Sequence, residues 1–419
     1  MSFLAELEWR GLIQDVVNPE AILKLSPGTP FYVGMDPSAP SLQIGNLVPL
    51  IVSMHLGRAG LSPLLLFGGA TGSIGDPSGK KAERQLLDKS SVDANVAKHQ
   101  AKVLEIFDRA KVKTTFVNNY DWTAPLSVLD FLRDVGKFFT INYMLAKEFV
   151  KTRVEEDSIS YTEFSYMLLQ AFDFCHLYQH KNCKLQIGGS DQWGNITSGL
   201  ELIRKKLSGE AYAFSFPLVT DSAGRKFGKS EGGAVWLDGS MTSPYRFHQF
   251  WLNVDDASVV KLLKIFTFLP QAEILRLETS VSQSPEKREA QIALADAVCD
   301  LVHGPEATAK AKRSAQVLFG GSLEGLSRAD LEEIFAEVPS TSYDKQKLSG
   351  MSYLDLLAET KLVPSKGEGR RLITNGGAYL NNERVTDPQL RLPEALVESG
   401  MLVLRAGKKQ YHLVKAHAA

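Results

Sequence analysis

The chain has 419 residues, 44% hydrophobic and 23% charged, with a formal net charge of −1: values of an ordinary soluble protein, with apolar material for a core spread over roughly two to four domains. They exclude an evident membrane span, because the most apolar region, Leu47 to Phe67, is interrupted by His55 and Arg58. Glu6, Glu8 and Arg10 stand where a signal peptide needs an apolar core, and Cys175, Cys183 and Cys299 are too few for a disulfide framework, so the expectation is a cytoplasmic protein with no membrane partner.

Up to about residue 220, apolar β-rich runs alternate with helical patterns. The runs FYVGM (31–35), PLLLFGG (63–69), TTFVN (114–118), KLQIGG (184–189) and FPLVT (216–220) predict strands. Helical patterns cover Leu42 to Ala59, Val92 to Lys111, Phe164 to Tyr178 and Gln192 to Lys206. The alternation predicts an α/β fold, a Rossmann-like parallel sheet with crossover helices over 1–220. Ligands in such sheets bind beyond the carboxyl ends of the strands. Residues 122–160 form a mainly helical insertion whose Leu, Phe and Tyr content suits a core or a dimer contact equally. After a loop region at 221–243, residues 244–335 predict an α-helical domain, and the polar, aperiodic stretch 336–350 predicts a linker. The remaining 351–419 predict a small α+β module with two short helices, a hairpin around Asn381-Asn382 and a second hairpin. From Lys361 onward ten Lys/Arg outnumber five Asp/Glu, so a +5 segment follows a body of −6. Such a module either contacts a polyanion or presents a solvated charged face.

Four stretches carry candidate chemistry. Gly68 to Arg84 follows a strand and combines glycines, Asp76, Lys80 and Arg84, which suits a polyphosphate; it is not a P-loop, since Ile74 occupies the required glycine position. Ala223 to Ser230 misses the same motif at Ala223, but Lys226 and Lys229 on a glycine-bearing loop make a cationic clamp for a leaving pyrophosphate, or else an exposed basic loop. Tyr166, Gln170 and Asp173 recur at helical spacing and share one face amid apolar neighbours, so they bind a small polar ligand or hydrogen-bond internally. Ile187 to Asn195 places Gly189 and Asp191 at a strand end, where the carboxylate can accept from ribose hydroxyls. Cys175, His176, His180 and Cys183 imitate zinc-ligand spacing, yet a helix aims Cys175 away from His180; the reading is a packed cysteine with surface histidines and no structural metal.

The segments YVGMDPSAPSLQIGNL, GGATGSIGDPSGKKAER, NNYDW, FSYMLLQAFDF, LQIGGSDQWGNI and KFGKS follow in one order and spacing, with MTSPYRF, FTFL and LVHG downstream. Together they resemble a bacterial-type tyrosyl-tRNA synthetase, a class I aminoacyl-tRNA synthetase, over nearly the whole chain. The resemblance implies that Tyr32 and Asp173 bind the phenol hydroxyl of tyrosine. It implies that Tyr166, Gln170 and Asp76 hold the α-ammonium, with Gln192 near the carboxyl end. Gly34, Asp36, Gly45, Gly189 and Asp191 would line the ATP site, and Ser38, where the family usually has Thr, keeps a hydroxyl there. Lys80, Arg84, Lys226, Lys229 and Ser230 would embrace the pyrophosphate, KFGKS being the family's KMSKS loop, and Lys229 would also touch ATP. The expected substrates are tyrosine, ATP with Mg2+, and tRNA(Tyr). The expected assembly is a homodimer through the insertion. The 244–335 domain would lie on the anticodon side of the tRNA, and the last module, with Lys366, Arg370, Arg371, Lys408 and Lys409, would bind RNA.

Two departures stand out. Val33 occupies a position where many relatives can touch the ribose. In SLQIGNL, Gln43 and Asn46 replace both histidines of the HIGH signature. A glutamine amide can place its nitrogen near a histidine Nε2, and an asparagine amide near Nδ1, so the expectation is a working, altered signature. The alternatives are the sister tryptophanyl enzyme, which should lack the Tyr32/Asp173 pair and the basic module, and a non-catalytic RNA-binding paralogue.

Overall fold

A computed structural model describes residues 2–78, 87–156, 159–220, 227–230, 233–318, 320–336, 338–407 and 410–417, with only the backbone for Phe149, Glu156, Lys229 and Ser230. Lys80, Arg84, Lys226, Lys408 and Lys409 lie outside the described residues. The chain divides into two compact units, residues 1–304 and 305–419.

The first unit is built on a six-stranded sheet of β1 (Val16–Val17), β2 (Pro30–Met35), β3 (Ser62–Phe67), β4 (Thr115–Asn118), β5 (Leu185–Gly189) and β6 (Tyr212–Phe216), in the order β1-β6-β5-β2-β3-β4. All pairs are parallel except the short edge strand β1 on β6. The last strand therefore precedes the expected FPLVT, whose Pro217 cannot donate to a ladder. Alternate residues bury on opposite faces, as a sheet covered on both sides requires. Phe31, Val33, Leu65, Phe67 and Ile187 join one cluster beneath the helices Leu47–Arg58 and Lys89–Arg109. Tyr32, Leu64 and Leu66 join the other, against the helices Tyr161–Lys181 and Trp193–Leu207.

The chain runs outward through β2, β3 and β4, then returns to place β5 on the far side of β2, so strand order reverses between β2 and β5. These two strands pair only at Phe31↔Leu185 and Tyr32↔Gln186, whereas β2 and β3 pair along six residues. The sheet thus splits beyond Tyr32, and the split opens a cleft at the carboxyl ends.

The insertion is a series of short helices, Tyr120–Thr123, Val128–Asp134, Ile141–Leu145 and Glu148–Glu156. A buried ion pair of Arg153 with Glu163 (2.9 Å) ties it to the Tyr161–Lys181 helix. Four helices follow, Pro244–Leu252, Asp256–Phe266, Gln271–Gln283 and Glu289–His303. Their buried Trp251, Leu262 and Val298 belong to the same cluster as Phe31 and Val33, which is why they form one unit with the sheet instead of a separate domain.

The second unit begins at residue 305, inside the expected 244–335 helical domain. The helices Pro305–Val317 and Arg328–Ile334 belong to it, because Asn382 Nδ2 donates to the carbonyls of Val317 and Gly321 (both 2.9 Å) and Tyr411 Oη to that of Leu318 (2.9 Å). The expected linker carries strand Ser340–Asp344, paired in parallel with Gln410–His417, and the helix Lys345–Leu348. Tyr343 and Leu348 are in the core. The hairpin turns at Asn381 and Asn382, both at positive φ (49° and 64°), the conformation asparagine tolerates in two-residue turns.

Candidate active site

The cleft has a volume of about 440 Å³, and its wall includes Tyr32, Gly34, Asp36, Ser38, Gln43, Gly45, Asn46, Asp76, Tyr166, Gln170, Asp173, Gly189, Asp191 and Gln192. Every candidate residue of the first unit whose side chain is described is therefore gathered in one place. Lys366, Arg370 and Arg371 belong to the second unit, exposed on the helix Lys366–Thr374, with Lys366 Nζ 2.7 Å from Asp355.

The inner end of the cleft is buried and wired. Tyr32, at the point where β2 and β5 part, is 1% exposed, and its hydroxyl, next to the Gln186 side chain, makes no well-formed hydrogen bond among the described residues. Burial, then the charge of Asp173, raises its pKa well above the ordinary phenol value. Asp173 is 2% exposed; it accepts from Asn119 Nδ2 (3.0 Å) and from Trp122 Nε1 (2.8 Å). Burial pushes its pKa up to about 7 against the pull of those two donors. Asn119 also donates to Thr71 Oγ1 (3.0 Å), and Thr71 donates to Asp36 (2.8 Å). Tyr166 Oη donates to the other Asp36 oxygen (2.9 Å). Its pKa is raised by burial and then by the charges of Asp36 and Asp76. A side chain at Gly68 would strike both the Asp36 carboxylate and the Thr71 hydroxyl, so glycine is required for this chain of bonds to close. On the opposite wall, Gln192 Nε2 donates to Asp76 (2.7 Å), and the Ser78 amide donates to its other oxygen (2.9 Å).

Thr71, Asn119 and Trp122 are the residues that sequence reasoning left without a role. Asn119 and Trp122 sit inside the quoted NNYDW, but their partner Asp173 lies more than fifty positions away. Within the cysteine–histidine set, Cys183 Sγ donates to the Leu185 carbonyl (3.6 Å). His176, half-buried instead of on the surface, stacks on Trp122 with ring centroids 4.5 Å apart and lies 4.4 Å from the ring of the exposed His180.

The outer end is more open. Residues 44–46 form one 3-10 turn leading into the Leu47–Arg58 helix. The Gln43 backbone N–H donates to Asn46 Oδ1 (2.9 Å), which orients the Asn46 carboxamide so that its nitrogen can serve another acceptor. Both side chains are half-buried. The Ile44 amide donates to the Val235 carbonyl (3.1 Å) and the Leu237 amide to that of Leu42 (2.8 Å), while the Val235 amide donates to the Gly228 carbonyl (3.1 Å). The base of KFGKS is thereby held beside the QIGN turn. Phe227 seats its ring within 5.3 to 5.8 Å of Phe250, Trp251 and Phe266.

The family described as tRNA synthetases class I (W and Y) matches residues 27–320, and that of the tyrosine–tRNA ligase SYY-like C-terminal domain matches 330–414. The chain is 49% identical over 420 residues to the tyrosine–tRNA ligase of Roseiflexus castenholzii, with 99% of each chain covered. Identity to tyrosine–tRNA ligase 1 of Bacillus subtilis is also 49% over 420 residues, with 99% of each chain covered. A solved C-terminally truncated mitochondrial tyrosyl-tRNA synthetase of Aspergillus nidulans is similar at a TM-score of 0.69 and 32% identity, over 76% of this chain and 94% of that one.

Proposed function

The chain belongs to the tyrosine–tRNA ligase family of class I aminoacyl-tRNA synthetases, and from that premise we propose the following division of work among its own residues. The observation that carries it is the buried Tyr32 hydroxyl, with no well-formed hydrogen bond among the described residues, beside the buried Asp173 carboxylate. A substrate phenol donates to Asp173 and accepts from Tyr32, completing both. Phenylalanine leaves both unpaired in a dry site, and discrimination between tyrosine and phenylalanine is the established example of that effect for enzymes of this class. Tyr166, Gln170 and Asp76 hold the α-ammonium, and Gln192 lies by the carboxylate.

ATP, as its Mg2+ complex, occupies the outer end along Gly34, Ser38, Gly45, Gly189 and Asp191, and reaches Asp36 where the two ends meet. The tyrosine carboxylate attacks the α-phosphorus in line, the bond to the β-phosphate oxygen breaks, and pyrophosphate leaves. The terminal ribose hydroxyl of tRNA(Tyr) then attacks the acyl carbon and AMP departs. No protein nucleophile is needed; the protein contributes position and donors aimed at the developing charge. Gln43 donates to the departing pyrophosphate and Asn46 to ATP, so QIGN does the work of HIGH without positive charge. Lys80, Arg84, Lys226, Lys229 and Ser230 complete the pyrophosphate site.

The second unit binds the tRNA through charge and shape, so affinity falls with salt. Val128, Leu129 and Ile141 of the insertion are 74%, 78% and 60% exposed, and Tyr161, which opens the next helix, is 75% exposed. Exposed apolar side chains of this kind suit the homodimer contact, and Leu129→Asp is expected to give a monomer in sedimentation. The three cysteines are buried thiols outside any disulfide, as a reducing, cytoplasmic location would leave them. The experiment for the reaction is to incubate the protein with tyrosine, Mg-ATP and pyrophosphatase and isolate the complex. Bound tyrosyl-adenylate that discharges onto tRNA(Tyr) supports the proposal; recovery of no adenylate contradicts it.

A further inference from the structure

We infer that His99, with Asn95, is a positioning residue for ATP: the two side chains clamp the 36–41 segment by its carbonyls and so set Ser38 at the outer end of the cleft. This rests on the reading of that segment as part of the ATP site.

The segment is Asp-Pro-Ser-Ala-Pro-Ser, neither helix nor strand. Pro37 and Pro40 have no N–H, and within it the Ser38 amide bonds to the Asp36 carbonyl (2.9 Å). The carbonyls of Pro37 and Ala39 must therefore find donors elsewhere. Both come from one helix. Asn95 Nδ2 donates to the Pro37 carbonyl (3.0 Å), and His99 Nε2 lies 2.9 Å from the Ala39 carbonyl. The two side chains are four residues apart in the Lys89–Arg109 helix, so they stand one above the other on the same face. Ser38, bracketed by the two clamped carbonyls, is exposed on the cleft wall.

The state of the imidazole follows from its partner. A carbonyl only accepts, so Nε2 carries the proton. His99 is 2% exposed and its Nδ1 has no partner among the described residues, and burial lowers its pKa. A neutral ring with an unpaired Nδ1 works through Nε2 alone. The bland alternative is a core histidine that merely satisfies a stray carbonyl. It differs from a clamp in what its removal does: general destabilisation against a defect confined to ATP.

The test is steady-state pyrophosphate exchange, with the KM for ATP and for tyrosine measured separately. His99→Leu removes the donor at similar volume and is expected to raise the KM for ATP about 10- to 100-fold, with the KM for tyrosine unchanged. His99→Gln, whose carboxamide nitrogen can reach the same carbonyl, should return the KM for ATP to within about threefold of the parent on the same reasoning. Asn95→Ala, should His99→Leu not fold, is expected to shift the KM for ATP in the same direction. The clamp is overturned if His99→Leu leaves that KM unchanged, if both KM values rise together, or if His99→Gln is no better than His99→Leu. Ser38→Ala separates the two levels of the inference. If that variant keeps the parental KM for ATP, the ATP reading of the segment falls and the clamp with it. An impaired Ser38→Ala beside an unimpaired His99→Leu removes the clamp alone.

Discussion

The two ends of the cleft are built on different principles. At the inner end Tyr32, Asn119 and Asp173 are 1%, 0% and 2% exposed, and the carboxylate is held by two fixed donors. At the outer end Gln43 and Asn46 are half-buried and Ser38 is exposed. A buried acceptor without its partner costs the full desolvation of that group, whereas a half-wet donor can exchange a ligand for water. Identity of the side chain therefore matters most at the inner end. At the outer end, under the roles proposed for Gln43 and Asn46, a nitrogen in the right place would be sufficient, which gives an amide pair a physical basis there.

The sharpest way to break this comparison is Asp173→Ala. It should reduce the preference for tyrosine over phenylalanine on the order of 100-fold or more, since a polar site built around a hydroxyl loses its basis for rejection; unchanged kcat/KM ratios for the two amino acids would place the phenol elsewhere. Next in size, Gln43→Ala should lower the exchange rate roughly 100-fold, the low end of the scale for one lost donor at a developing charge, with the tyrosine-to-phenylalanine ratio intact. Gln43→His keeps a donor and should change the rate less. A parental rate in Gln43→Ala would show that this amide is not a catalytic donor.

The smallest effect is on pH. Asp173 titrates near 7, above the ordinary carboxylate value, so it gains a proton as pH falls through 7 and loses its charge-assisted bond to the phenol. The KM for tyrosine should rise below pH 7 and level off above it, by less than about tenfold per unit. The sign for stability is opposite. The folded chain holds this proton more tightly than the unfolded one, so the site's contribution is fully present below about pH 4 and is lost as pH rises through 7. A flat KM between pH 6 and 8 would contradict the assignment.

Much of this was legible in the sequence for reasons that can be named. The long strands and helices announce themselves by period, and Asn381-Asn382 by the positive φ that its hairpin needs. The order of glycine-rich and charged motifs located the cleft wall. What was not legible depends on distance along the chain. The segment 340–344 has no apolar alternation, because only Tyr343 of its residues is buried, and it becomes a strand through its pairing with residues 413–417. Likewise Thr71 and Asn119 look like loop residues until folding threads them between Asp36 and Asp173.

The central claim is that this cleft, with its altered signature, activates tyrosine. The most direct measurement is ATP–pyrophosphate exchange by the unmodified chain with tyrosine, phenylalanine or tryptophan as the sole amino acid. The account predicts exchange with tyrosine at a rate far above the other two. No exchange with tyrosine, or equal exchange with tryptophan, would contradict it.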